Sequence, residues 1–152
     1  MVKVIMHGCN GKMGQVITGI IAEDKDAEIV AGVDTSNHIQ NTYPVFGNIA
    51  DCNVEADVVI DFCAAPAVDG LLKYCVEKQV PCVLCTTGLS EAQLAAVEEA
   101  SKKVAILRSA NMSLGVNMLL KILKEAAGIL APAGFDIEIV EKNHNLKVDA
   151  PS

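Results

Sequence analysis

The sequence has no tryptophan, and aromatic residues make up only 3% of its 152 positions. Proteins that bind single-stranded nucleic acid stack bases on aromatic side chains, so this class of function is not expected. Arg108 is the single arginine and the formal net charge is −7, which argues against a nucleic-acid or anionic-membrane partner. No apolar run reaches the roughly 18 residues of a membrane span, and the chain begins directly with a strand pattern, so we expect a cytoplasmic protein.

The six cysteines are predicted to be reduced, because no export signal precedes them. Cys82 and Cys85 form a C-x-x-C pair, but positions i and i+3 of one strand face opposite sides. We therefore expect neither a shared metal nor a disulfide there, and no metal site elsewhere.

Short apolar runs alternate with helical patterns, which is typical of βαβ units. We predict an α/β fold, a Rossmann-type doubly wound parallel sheet, over residues 1–115. Residues 116–152 are predicted to begin a second, incomplete α+β domain, with a half-exposed strand at 135–141. The other predicted strands are 2–7, 28–33, 56–61, 80–85 and 104–107, and helices are predicted after residue 11, from Pro66, from a Ser90–Gln93 capping box and over 116–130.

A glycine-rich segment, Gly8-Cys9-Asn10-Gly11-Lys12-Met13-Gly14, joins the first strand to the first helix. Glycines at this junction allow a tight turn and a close approach of backbone to a pyrophosphate at the helix N-terminus. Asn10 stands where a G-x-G-x-x-G pattern has its middle glycine, and asparagine tolerates left-handed backbone better than most residues. We interpret the segment as a dinucleotide-binding turn.

Asp34 follows Gly14 by 20 residues, at the end of the second predicted strand. A carboxylate there accepts hydrogen bonds from the ribose hydroxyls of adenosine and repels a 2′-phosphate. Since Thr35 rather than arginine comes next, the sequence favours NADH over NADPH. Lys12 could still pair with a phosphate, so use of both cofactors stays open.

Three polar turns follow later strands: Asp61-Phe62-Cys63, Thr86-Thr87-Gly88 and Asn111-Met112-Ser113. Carboxyl ends of parallel strands share one edge of the sheet, so the turns predict a ligand crevice. The polar segment 141–152 contains His144 and Lys147, which could bind a dicarboxylate or move protons, or could belong to a solvated tail.

Together these motifs resemble the 4-hydroxy-tetrahydrodipicolinate (dihydrodipicolinate) reductase family over the whole chain. The resemblance rests on G-x-N-G-K-M-G, V-I-D-F, C-T-T-G, A-N-M-S-x-G-V-N and E-x-x-H-x-x-K-x-D-A-P-S, in this order. It implies NAD(P)H-dependent reduction of 4-hydroxy-tetrahydrodipicolinate to tetrahydrodipicolinate, a step of lysine and diaminopimelate biosynthesis. It also implies a small dicarboxylate substrate and a homotetramer of the full-length form.

The motifs and the resemblance predict which residues form the site. Cys85 replaces the first glycine of the family's G-T-T-G turn, a change that could narrow the cofactor groove. His144, Lys147 and Ser152 are expected at the substrate. The expected cofactor residues are Gly8, Asn10, Gly11, Lys12, Met13, Gly14, Asp34, Phe62, Cys63, Thr86, Thr87, Gly88, Ala110, Asn111 and Met112.

Two departures from the family pattern bear on catalysis. Asn143 replaces the histidine that the resemblance gives as general acid, and an amide has no proton to give near neutral pH. The sequence also ends at Ser152, before a Gly-Thr turn that would bind a substrate carboxylate. Reduction is therefore expected to be impaired unless His144 or a water substitutes. The alternatives are a non-catalytic nicotinamide-dinucleotide-binding module and a structural remnant whose exposed strand associates with other chains.

Overall fold

The structure, a computed structural model, describes residues 1–142 and 145. The chain divides into two compact units, Met1–Ala110 and Asn111–Ser152. The first unit contains the sheet and three of the α-helices. The second contains one long α-helix followed by an irregular segment.

Six parallel strands form the sheet of the first unit, in the order β3-β2-β1-β4-β5-β6. This arrangement confirms the predicted doubly wound α/β fold. The order turns back between β1 and β4, so the connections after these two strands lead to opposite faces and leave a crevice at their carboxyl ends. The strands are β1 (Val2–His7), β2 (Ala27–Val33), β3 (Val45–Phe46), β4 (Val58–Asp61), β5 (Cys82–Leu84) and β6 (Ile106–Arg108).

Helices α1 (Lys12–Glu23), α2 (Val68–Lys78) and α3 (Glu91–Ser101) connect the strands, and α4 (Leu114–Leu130) lies in the second unit. Short 3₁₀ turns occur at Ile49–Asp51 and Ala65–Ala67. The predicted capping box is confirmed at α3. Its first backbone N–H groups are satisfied there, because the Gln93 N–H donates to Ser90 Oγ at 3.2 Å while the Ser90 N–H donates to Gln93 Oε1 at 3.1 Å.

The core of the first unit is built from aliphatic side chains. Ile5, Val59 and Leu84 on neighbouring strands are wholly buried, as are Leu71 and Cys75 of α2. Central parallel strands are covered by helices on both faces, so they need apolar residues at nearly every position. This explains how a chain with few aromatic residues closes a core.

All six cysteines are free, and every one except the half-buried Cys63 is buried. Cys82 forms a side-chain hydrogen bond with Cys75 of α2, and this bond together with burial raises the pKa of the Cys82 thiol. Cys85 is buried as well. These thiols behave as small apolar groups of the core.

The strand predicted at 135–141 is wrong. Residues 135–142 have no regular secondary structure, and Phe135, Ile137 and Ile139 are exposed. A strand needs a neighbour to take its backbone hydrogen bonds, and no described residue beyond Arg108 belongs to a strand. The alternation of apolar and charged side chains was therefore not sufficient to predict a strand.

The short strand β3 was missed in the sequence. It pairs with Gly32 and Val33 of β2 through only two residues, Val45 and Phe46. Two residues are too few to show an alternating pattern.

Among the described residues, no helix combines the length and apolar character needed to cross a membrane.

Candidate functional site

The turn between β1 and α1 packs the start of the helix directly against the end of the strand. Gly8 has φ +84°, and its N–H donates to the Val33 carbonyl at 2.8 Å. A Cβ on Gly8 would lie 2.8 Å from the Phe62 carbonyl oxygen, and one on Gly14 would lie 2.1 Å from the Gly8 carbonyl oxygen. Both positions therefore require glycine.

The N-terminus of α1 is open to a ligand. Its N-cap, Gly11, has no side chain to accept a hydrogen bond, and the first turn carries no acidic residue. The first N–H groups of a helix, here those of Lys12, Met13 and Gly14, have no acceptor within the helix. Lys12 and Met13 are exposed. Backbone donors, the positive end of the helix dipole and one ammonium group suit a phosphate.

Asn10 does not use the left-handed backbone that the sequence suggested. Among the described residues, Gln79 is the one non-glycine residue with positive φ, while Gly8 supplies that conformation in the turn. Asn10 is buried, and its side chain bonds to other residues instead. Its Nδ2 donates to the Ser36 carbonyl, and its Oδ1 accepts from Asn41 Nδ2 at 2.7 Å.

Asp34, at the end of β2, links this turn to the loop that follows. Its Oδ2 accepts from the Asn10 N–H at 2.9 Å, and its Oδ1 accepts from the Ser36 N–H at 2.9 Å. A carboxylate has about four acceptor positions, so each oxygen keeps one for a further donor such as a ribose hydroxyl. Asp34 is half-buried and faces a cleft.

That cleft has a volume of about 600 Å³ and lies at the carboxyl ends of β1, β2 and β4. It occupies the edge where open parallel sheets bind ligands. Polar and apolar side chains line this cleft. The lining residues are His7, Val33, Asp34, Thr35, Gly47, Asn48, Ile49, Phe62, Cys63, Ala64, Pro66, Ala67 and Gly70.

A buried polar network lies beneath the crevice. His7 and Asp61 are register partners on β1 and β4, and His7 Nδ1 lies 2.7 Å from Asp61 Oδ1. Thr86 Oγ1 donates to Asp61 Oδ2 at 2.5 Å, and Thr86 Oγ1 also lies 3.0 Å from the Cys63 carbonyl oxygen. The network joins the ends of three strands. No sequence pattern indicated a role for His7, because nothing local shows that β1 neighbours β4.

His7, Asp61 and Cys63 also place three potential metal ligands within 4.8 Å of one another. Two of the three residues already use their potential ligand atoms in hydrogen bonds, because both Asp61 oxygens and His7 Nδ1 take part in the network. Burial and the nearby Asp61 and Asp34 carboxylates raise the pKa of the Cys63 thiol to about 12. The thiol is therefore protonated at neutral pH, so the cluster is a hydrogen-bonded network as it stands.

The remaining predicted residues are distributed along the chain. Thr87 and Gly88 are exposed after β5, and Ala110, also exposed, ends the first unit. Asn111 and Met112 begin the second unit, where Asn111 Oδ1 accepts from the Ser113 N–H at 2.8 Å. The four predicted catalytic or substrate residues lie outside the described residues: Asn143, His144, Lys147 and Ser152.

A larger cavity, of about 760 Å³, lies at the opposite edge of the sheet, next to Lys3, Asp57 and Lys78. It is bounded by the amino ends of β1 and β4, whereas the cleft of about 600 Å³ is lined by His7, the residue directly before the glycine-rich turn. Because ligands of open parallel sheets bind at the carboxyl ends, we assign the site to the smaller cleft.

The strand order and the glycine-rich turn define a Rossmann-type α/β domain. The family "Dihydrodipicolinate reductase, N-terminus" matches residues 2–112, and "Dihydrodipicolinate reductase, C-terminus" matches residues 115–152. The chain belongs to the dihydrodipicolinate reductase family.

Individual relatives agree with this assignment. The chain is 52% identical to the 4-hydroxy-tetrahydrodipicolinate reductase of Caldanaerobacter subterraneus subsp. tengcongensis and 49% identical to that of Clostridium tetani. Each match covers 100% of this chain and 59% of the relative, so the chain spans about three fifths of their length. A dipicolinate-bound dihydrodipicolinate reductase from Paenisporosarcina sp. TG-14 superposes with a TM-score of 0.80 at 28% identity, covering 100% of this chain and 62% of that one.

Two glycines of α1 provide a matched test of the turn. Gly14→Ala places a Cβ against the Gly8 carbonyl, so we expect a loss of more than about 2 kcal/mol in the free energy of unfolding. Gly19→Ala meets nothing within 4 Å and should stabilise the helix by about 0.5–1 kcal/mol. Urea denaturation measures both. Equal effects of the two changes would contradict the close approach.

Proposed function

We propose that the chain binds a nicotinamide dinucleotide in the 600 Å³ cleft, with the pyrophosphate at the N-terminus of α1 and the adenosine ribose at Asp34. The observation that carries this proposal is the contact of Gly14 with Gly8, which packs the start of α1 directly against the end of β1, at the edge of the sheet where the cleft also lies. Phe62 and Cys63 would line the groove. Gly8, Asn10, Gly11, Lys12 and Met13 would form or support the phosphate turn.

The bound cofactor would supply a hydride, and the chain would position it. Residues 1–115 would hold the cofactor, and residues 116–152 would begin the domain that binds substrate. At the nicotinamide end we propose Thr86, Thr87, Gly88, Ala110, Asn111 and Met112.

The reaction we propose is reduction of 4-hydroxy-tetrahydrodipicolinate to tetrahydrodipicolinate by NADH or NADPH. The names of the two curated relatives support the reaction, and the dipicolinate bound to the Paenisporosarcina enzyme supports a cyclic dicarboxylate substrate. His144 would bind the substrate carboxylates through a ring N–H, Lys147 through its ammonium group and Ser152 through its hydroxyl.

A second candidate function is a nicotinamide-dinucleotide-binding module without catalysis. Asn143 favours it, because the amide at this position cannot act as a general acid. The two functions share the cofactor site and differ in turnover, so a binding measurement and a rate measurement separate them.

We propose that NADH binds at least as tightly as NADPH, because the Asp34 carboxylate would repel a 2′-phosphate. Thr35→Arg places a guanidinium next to Asp34 and should raise the NADPH affinity relative to NADH by roughly tenfold, the value of one charge-assisted hydrogen bond. Thr35→Gln, a neutral control, should leave the ratio unchanged. Calorimetric titration with both cofactors measures it, and a clear NADPH preference of the unmodified chain would argue against the role of Asp34.

Asn143 provides a test of the general acid. Asn143→His introduces a group that can donate a proton, and we expect the rate of NADH oxidation with freshly prepared substrate to rise by about 100-fold or more. Asn145→His is the matched control, two residues away, and should change the rate little. If both variants turn over as the unmodified chain does, another group supplies the proton.

We also propose that the chain forms a homo-oligomer through its second unit. The apolar side chains of α4 and of residues 135–140 are exposed, including Met118, Leu119 and Ile122. Burying them between copies would be favourable. Sedimentation over a range of concentrations should show association that Ile122→Lys weakens and Val16→Lys, an equally exposed position of α1, does not. A monodisperse monomer at every concentration would rule out this surface.

A further inference from the structure

Three amide side chains join two segments of the first unit that are distant in sequence. Asn41 Nδ2 donates to Asn10 Oδ1 at 2.7 Å, and Asn41 Oδ1 accepts from Gln15 Nε2 at 3.1 Å. Gln15 Nε2 also lies 2.9 Å from the Cys9 carbonyl oxygen. We call Asn10, Gln15 and Asn41 the amide clamp. Its members come from the glycine-rich turn, from α1 and from the loop after β2.

The donors and acceptors of the amide clamp are mutually consistent. Asn10 uses Oδ1 to accept from Asn41 and Nδ2 to donate to the Ser36 carbonyl. Asn41 donates with its nitrogen and accepts with its oxygen, while Gln15 donates to two oxygens. Reversing any one of the amides would oppose two donors or two acceptors, so the network defines a single arrangement.

The amide clamp acts on the loop that would receive the ribose. Asp34 ties the start of this loop to the turn through the Asn10 and Ser36 N–H groups, and Asn41 ties its far end. Just beyond, the Tyr43 hydroxyl lies 2.8 Å from Thr18 Oγ1 of α1. Between these anchors Thr35 and Asn37 are exposed. A loop fixed at both ends loses less conformational entropy when a ligand binds.

We propose that Gln15 and Asn41 are positioning residues: they hold loop 34–41 against the glycine-rich turn, so that the ribose and pyrophosphate parts of the cofactor site stay assembled without cofactor. This inference rests on the proposed function, because the ribose and pyrophosphate parts that the two residues hold together belong to the proposed cofactor site. Neither residue was among those expected from the sequence, because Asn41 meets Gln15 across 26 residues.

Asn41→Ala removes two of the clamp's hydrogen bonds, and Gln15→Ala removes its link to both Asn41 and Cys9. One hydrogen bond between neutral groups corresponds to roughly a fivefold change in an equilibrium constant. We expect each variant to raise the Kd for NADH by roughly five- to tenfold. Asn37→Ala, an exposed asparagine of the same loop outside the clamp, should leave the Kd unchanged.

Because Gln15 and Asn41 act through one shared bond, the double variant should raise the Kd by less than the product of the two single effects. For Gln15→Ala combined with Asn37→Ala, the change in the Kd should instead equal the product of the two single effects.

Hydrogen exchange of the backbone amides of residues 35–42, measured without cofactor, should accelerate in Asn41→Ala and return toward the unmodified rate when NADH saturates the variant. Gln15→Glu keeps the length of the side chain and serves as a second variant if Gln15→Ala fails to fold.

The outcomes separate the two proposals. If the unmodified chain binds neither NADH nor NADPH, the proposed function fails, and the positioning role fails with it. If the unmodified chain binds NADH while Asn41→Ala shows the same Kd and the same exchange, the cofactor site stands and the positioning role is overturned. Multiplicative effects of Gln15→Ala and Asn41→Ala would also overturn it.

Discussion

The close contact between the start of α1 and the end of β1 is the constraint on which the site depends. Any side chain at Gly14 would overlap the Gly8 carbonyl, and Gly8 itself needs a positive φ to turn the chain into the helix. This contact places the start of α1 directly after the carboxyl end of β1. The proposed position of the pyrophosphate depends on this contact, because it lies at the N-terminus of α1.

Around this contact the polar groups divide into those already satisfied and those with capacity left. His7, Asp61 and Thr86 bond to one another below the crevice, and they stabilise the ends of three strands. Asp34 takes two backbone N–H groups and still has acceptor positions facing the cleft. A buried network beneath a partly satisfied rim is a rigid support for a ligand, because its groups need not reorganise on binding.

The sequence predicted most of the fold because parallel strands and their crossover helices leave strong local patterns. β1 and the capping box of α3 were predicted with their observed residues. The segment 135–141 shows the limit of such patterns, since alternation describes the side chains while a strand also needs a partner for its backbone. The chain spans about three fifths of the length of its relatives. Among the described residues, no strand pairs with segment 135–141.

The sequence by itself determined the strand–turn–helix start, the glycines that fit it, the carboxylate after β2 and the family to which the chain belongs. Tertiary structure alone decided the contacts of His7 with Asp61 and of Gln15 with Asn41, and it changed the interpretation of Asn10 from a left-handed turn residue to a bonded amide. The physical reason is distance along the chain. Local patterns report on neighbours a few positions apart, whereas these contacts follow from which strands lie side by side and from the path of the loop after β2.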